Sequence, residues 1–252
     1  MLVLWIGLGL VVGGLLNVLI SRLPYRGGPR AAPLHCHTCG HELAVADALP
    51  LLGFFLQRGR CRYCGKPIPW RYPLVELATA ALFALAYLRF GLSVELVTSS
   101  LFTAILVVIF MIDLRHRLIL NTVTYPAAVL GFVLAAITPG MSLLVSASGG
   151  LAYGGLFVVL YLLAVLIYRR GDALGMGDVK LAIVIGLMAG LPRAVVAVVL
   201  GILLGAVAAT AVLITGRKGK QDVMPYGTAL SIGGMLAILY GDLIINWYIG
   251  AY

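Results

Sequence analysis

The sequence predicts an all-α polytopic membrane protein with about eight transmembrane helices and a small zinc-ribbon-like loop on the cytoplasmic side. Three observations carry that fold class. First, the 252 residues are 62% hydrophobic and only 11% charged, with a mean hydropathy of +1.07. A soluble domain of this size needs far more polar surface to cover its core. Second, the apolar residues fall in eight runs, 2–20, 74–88, 95–112, 122–137, 143–168, 179–191, 194–215 and 228–249. Third, the basic residues segregate to one side of those runs.

A spanning helix needs about 20 apolar residues. Most of the runs meet that length, and 74–88 and 179–191 fall short. The first run has no basic residue ahead of it and no small-x-small cleavage site. Its positive charge follows instead, at Arg22, Arg26 and Arg30. That order predicts a retained helix with its N-terminus outside rather than a removed signal peptide. Eight spans then place 21–73, 113–121, 169–178 and 216–227 together. All of the 18 Lys and Arg residues except Arg89 and Arg193 belong to that side. The positive-inside rule makes it cytoplasmic and puts both termini outside. The net charge of +9 is thereby explained by topology. Anionic membrane lipid is its natural counterpart, no nucleic acid need be invoked, and nothing specifies an oligomeric state. The chain divides into a first transmembrane helix at 1–20, a cysteine-bearing loop at 21–73 and a transmembrane core at 74–252. Glycines such as Gly149, Gly150, Gly154, Gly155 and the Gly201-x-x-x-Gly205 pair are read as close helix packing.

The loop holds "CHTCG" at 36–40 and "CRYCG" at 61–65. Two Cys-x-x-Cys turns deliver four thiolates, the set that a tetrahedral zinc ion takes: Cys36, Cys39, Cys61 and Cys64. Four cysteines close the coordination shell, which makes the zinc structural rather than catalytic. A reducing cytoplasm argues against disulfides, and a metal can hold a segment too short to build a large core. His35, His37 and His41 crowd the first pair and are read as exposed polar side chains.

Only nine acidic residues are present. Glu42 and Asp47 lie in the cysteine loop, and Asp172 and Asp222 in later loops, as ordinary solvated charges. Glu95 and Asp242 fall near outer helix ends, facing headgroups. Glu76 lies just inside the second span, with Arg71 or another loop base as its expected partner and a role in the site as the alternative. Asp113 ends the third span in "FMIDLRHR" and Asp178 opens the sixth in "GMGDVKL". Two whole spans separate them, so both emerge on the same face. The shortness of the sixth span draws Asp178 below the headgroups, where an ionisable side chain marks a functional site. Two carboxylates that approach each other share one proton. One then acts as general base on a water and the other as general acid. Gly175 and Gly177 free the backbone for unusual dihedrals and for close approach of an extended peptide. Spacing alone favours two helix-end aspartates that answer Arg115, Arg117 and Lys180.

"GMGDVKL" resembles the glycine-x-glycine-aspartate motif of intramembrane aspartyl proteases. With "MIDLRHRLI" it is similar to the type IV prepilin leader peptidases. "GLLNVLISRLPYR" (14–26), "CHTCG" with "LPLLGFFLQRGRCRYCGKPIPWRYPLVEL" (49–77), and "MPYGTAL" (224–230) extend the resemblance over nearly the whole chain. The resemblance implies a catalytic Asp113–Asp178 dyad. It implies prepilin or pseudopilin substrates cut after a glycine at the cytoplasmic boundary of the bacterial inner membrane. It also implies, as in bifunctional members, methylation of the new N-terminus from S-adenosylmethionine, an activity that the four-cysteine loop accompanies, with a peptidase without methyltransferase activity as the alternative, and no cofactor for proteolysis. The chain departs from the family at Ala48 and Gly53, at Leu120-Asn121 in place of proline-aspartate, and at Thr228 in place of proline. A proton-coupled transporter using the two aspartates would instead show polar residues deep in several spans. A non-catalytic assembly protein would tolerate Asp178→Asn. A zinc protease would show a HExxH motif, and none is present.

Overall fold

The computed structural model describes residues 1–24, 39–41, 50–168, 175–214 and 226–250. Among them are nine α-helices, no strands, and one isolated antiparallel bridge between Arg60 and Pro67. Each of the eight predicted apolar runs forms a helix, and a short ninth, α2, precedes the second cysteine pair. Six of the helices are long and apolar enough to cross a membrane. The other two are shorter than a full span, at 15 and 14 residues.

The chain separates into two compact units, Met1–Leu92 and Ser93–Tyr252. The third helix therefore groups with the first, whereas the sequence reading drew its boundary at 73/74. The first unit holds α1 (Leu2–Arg22), α2 (Leu52–Leu56) and α3 (Arg71–Phe90). α1 packs against α3 along Gly9 and Gly13, four residues apart and hence on one face. A methyl at Gly9 would come within 2.7 Å of the Ala80 Cα, and one at Gly13 within 2.6 Å of the Glu76 Cα. Only glycine permits that approach. Trp5 stacks on Phe83 beside this seam, ring centroids 6.1 Å apart.

Glu76 is buried in the seam. Its Oε1 accepts from Asn17 Nδ2 at 3.3 Å and its Oε2 from the Leu51 N–H at 2.9 Å. Asn17 Nδ2 also donates to the Tyr72 carbonyl at 3.0 Å. The expected pairing with Arg71 gives way to these neutral donors, which satisfy a buried carboxylate without burying a second charge. The carboxylate holds a tight turn. Leu51 has φ +56°, and the Leu52 N–H donates to the Pro50 carbonyl at 2.6 Å.

The second unit holds α4 (Val94–His116), α5 (Asn121–Ala135), α6 (Leu143–Tyr168), α7 (Met176–Ala189), α8 (Arg193–Ile214) and α9 (Tyr226–Ile249). α4 starts on the Ser93 N-cap, whose Oγ accepts from the Leu96 N–H at 3.2 Å. It stops at Arg117 in the left-handed region, whose N–H donates to the Asp113 carbonyl at 2.8 Å. The short α7 is the central element, packed against α5, α6, α8 and α9. α6 and α7 cross on glycine: a methyl at Gly149 would strike the Gly186 carbonyl oxygen, and one at Gly186 the Gly149 carbonyl oxygen. Ser146 Oγ fastens the same crossing through the Leu187 carbonyl at 2.8 Å. α6 and α8 expose leucines and valines such as Leu151, Leu166, Val199 and Leu203. In a bilayer such side chains need no protein cover. At the start of α8, Arg193 holds Asp242 of α9 through two hydrogen bonds of 2.7 and 2.5 Å. Asp242 is thus ion-paired rather than simply turned to headgroups.

Candidate functional site

Asp113 lies on the last turn of α4 and is 4% exposed. The Thr228 backbone N–H, from the start of α9, donates to its carboxylate. Asp113 Oδ2 is buried and meets no hydrogen-bond donor among the described residues. It abuts Gly227 instead, where an added Cβ would lie 2.9 Å away. A carboxylate oxygen buried without a donor is costly in a folded chain. The end of α4 is pressed there against Gly227, in the first turn of α9.

Asp178 lies in the first turn of α7. The helix begins at Met176, earlier than the run at 179–191 predicts, so Asp178 sits inside the helix rather than ahead of it. The reason is local. The Gly175 N–H donates to Asp178 Oδ2 at 3.2 Å, and the Asp178 N–H donates to the Gly175 carbonyl at 3.0 Å. The aspartate thus caps its own helix, a favourable place for negative charge at the positive end of the dipole.

The two carboxylates come within electrostatic reach of each other, Asp113 acting on Asp178. α4 and α7 bring them together by packing on the same partner, α9. The Tyr226 phenol also lies within the electrostatic reach of Asp178. Ile119, in the link between α4 and α5, fills the space between the helix starts. It lies 3.0 Å from an added Cβ at either Gly177 or Gly227. The expectation for the motif glycines changes accordingly. Gly175 is extended at φ −80° and Gly177 is helical. Neither uses a conformation closed to other residues, and Gly177 serves by close approach to Ile119. Lys180 turns from the pair to Asn121 Oδ1 at 2.9 Å and to the face of Tyr125. It therefore does not answer Asp178. Sequence reasoning missed Gly227, Ile119 and Tyr226. The signal for two of them was the stretch "MPYGTAL", which carried the resemblance without a role.

The cysteines form a second cluster in the first unit. The ligand atoms of Cys39, Cys61 and Cys64 all lie within 4.8 Å of one another. Cys36, the fourth cysteine of the predicted set, lies outside the described residues, as do His35 and His37. The second pair sits on a tight knuckle. The Cys61 N–H donates to the Lys66 carbonyl and the Gly65 N–H to the Cys61 carbonyl, both at 2.9 Å. Gly65 at φ +69° and Gly40 at φ +68° turn the chain away after each pair. His41 lies against the Tyr63 ring, centroids 3.6 Å apart. Three convergent thiols are a donor set suited to zinc, and a fourth ligand completes a tetrahedron.

Comparison with known proteins places the chain in a family. Residues 8–90 match the bacterial peptidase A24 N-terminal domain and residues 100–210 match the type IV leader peptidase family. The chain is 36% identical to a prepilin leader peptidase/N-methyltransferase of Bacillus subtilis, over 96% of this chain and 95% of that one. It is 30% identical to proteins of the same description from Xanthomonas campestris and Legionella pneumophila, in each case over 96% of this chain and 92% of the relative. No solved structure matches. The fold is that of a multi-pass membrane protein, and the chain belongs to the type IV leader peptidase family.

Proposed function

We propose that this protein cleaves the basic leader from type IV prepilins or pseudopilins at the cytoplasmic face of the inner membrane and then methylates the new N-terminus. Asp113 and Asp178 perform the cleavage. The observation that carries this reading is that Asp113, on the last turn of α4, lies within electrostatic reach of Asp178, in the first turn of α7, and that its buried Oδ2 has no donor among the described residues.

The chemistry follows from one shared proton. The ionised member of the pair takes a proton from a water. The resulting hydroxide adds to the scissile carbonyl carbon, and the protonated member delivers its proton as the C–N bond breaks and the amine leaves. The substrate's apolar helix lies in the bilayer, so its peptide bond reaches the carboxylates near the membrane surface. Gly175, where an added Cβ would meet nothing closer than Asp178 Oδ2 at 3.5 Å, leaves room for an extended chain at the start of α7. Proteolysis by this route uses no metal.

Cys36, Cys39, Cys61 and Cys64 would hold zinc, in a structural role. S-adenosylmethionine supplies the methyl group when bound. A relay for proton transport finds little support in α4. There Ser99 and Thr103 turn their hydroxyls to the Leu96 and Ser99 carbonyls of their own helix.

The test is cleavage of a purified model prepilin by wild-type protein, Asp113→Asn and Asp178→Asn, with mass analysis of the product. Each variant should lose about 10³-fold or more in rate, the scale of acid–base catalysis. Wild-type product should carry one added methyl. Full cleavage by either variant rejects the dyad.

A further inference from the structure

We propose that residues 50–70, read from sequence as part of an extramembrane loop, include a foot that inserts into the membrane interface and grips anionic lipid headgroups. The foot is α2 with the turn that follows it. It is tied to the start of α3, a helix of spanning length, at two points. Just ahead of α2, the Leu51 N–H is held by Glu76, on the second turn of α3. At 1.5 Å per residue, that is roughly 8 Å along the helix from Arg71. At the middle of α2, the Phe54 ring packs on Trp70, the residue before α3, with centroids 4.9 Å apart. The Ile68 N–H closes back on the Gly59 carbonyl at 2.7 Å. α2 is therefore fixed alongside the first turns of a membrane span and cannot stand off in solvent.

Its surface chemistry matches that depth. Leu52, Phe55, Leu56 and Trp70 are 59%, 63%, 72% and 73% exposed. Four large apolar side chains on so short a stretch are unfavourable in water and favourable at the boundary of headgroups and acyl chains, to which interfacial segments sink by about 5–10 Å. Arg58 and Arg60 border the same cleft, and Arg62, Lys66 and Arg71 continue the basic charge. No acidic residue occurs from 50 to 75. A cluster of one sign beside an inserted apolar element complements phosphatidylglycerol-like headgroups. It repels a basic peptide leader, which argues for lipid over substrate as the occupant.

A single tryptophan reports the outcome. Leu56→Trp, in a background with Trp5, Trp70 and Trp247 changed to Phe, is placed one copy per nanodisc. The lipid is brominated on its acyl chains, and is either phosphatidylcholine alone or a mixture with phosphatidylglycerol. The expected result is strong quenching by the brominated lipid and little by aqueous acrylamide. Quenching should be greater in the anionic mixture and unchanged by added inorganic phosphate. Arg58→Gln and Arg60→Gln should weaken the anionic preference, about fivefold for each residue removed. Acrylamide quenching without lipid quenching overturns the insertion. Equal quenching in both lipids, or reversal by free phosphate, overturns the headgroup assignment. Protection from both quenchers means that protein covers the foot, and also overturns it.

Discussion

A methyl group at position 227 tests the site at the scale of one atom. Gly227→Ala would set a Cβ 2.9 Å from Asp113 Oδ2, so the carboxylate must shift. A displacement near 1 Å costs about 10²-fold in a positioned reaction. Cleavage should fall by that order, with unchanged helix content by circular dichroism as the control. The dyad predicts a bell-shaped pH profile, because one carboxylate must be protonated and the other ionised for turnover. A profile with a single limb would contradict a shared proton. Glu76 makes a different prediction. Glu76→Ala leaves the Leu51 N–H without its acceptor and the Asn17 amide with the Tyr72 carbonyl alone. A buried donor without a partner costs about 1–3 kcal/mol, and thermal unfolding in detergent should show the loss. The types and positions of Asp113, Asp178 and three of the cysteines were legible in the sequence, because rare polar residues stand out against an apolar background. The partner of Glu76 was not. Leu51 lies 25 residues away and donates from its backbone, which no side-chain pattern encodes.

At the scale of the element, the eight apolar runs became eight helices because lipid leaves a buried backbone little choice. Every N–H and C=O must be satisfied within the segment. Their ends were less legible. α7 begins at Met176 because Asp178 caps it, and a polar cap interrupts the apolar run by which the boundary is read. α2 was missed because five residues carry no period. The crossing of α6 and α7 offers a prediction here. Gly186→Val should crowd the Gly149 carbonyl and destabilise the core helix by about 1–3 kcal/mol, the usual effect of overpacking, with lower expression or thermal stability as the measure. The knuckle offers another. Cys39→Ser, Cys61→Ser or Cys64→Ser should abolish stoichiometric zinc in elemental analysis. Proteolysis should then open the segment around 50–68 while fragments from 93 onward stay intact. Retained zinc in all three variants would reject the cluster as a metal site.

Over the whole molecule, charge segregation predicts topology. A periplasmic reporter fused to either terminus should be active, and one inserted in the loop after α1 should not. The division into compact units was not legible, since α3 reads as one more span in a series. What assigns it to α1 is the fit of Gly9 and Gly13 against Ala80 and Glu76, a contact between segments more than 60 residues apart. The two matched family segments, 8–90 and 100–210, also part close to Leu92.

That seam between Leu92 and Ser93 has a practical side. Gly91 ends one helix at φ +60° and Ser93 caps the next, so a break in the polypeptide there would cut neither. The thiols would travel with one fragment and Asp113 and Asp178 with the other. Such a chain invites expression from two separate reading frames, and exchange of either fragment for its counterpart from a relative.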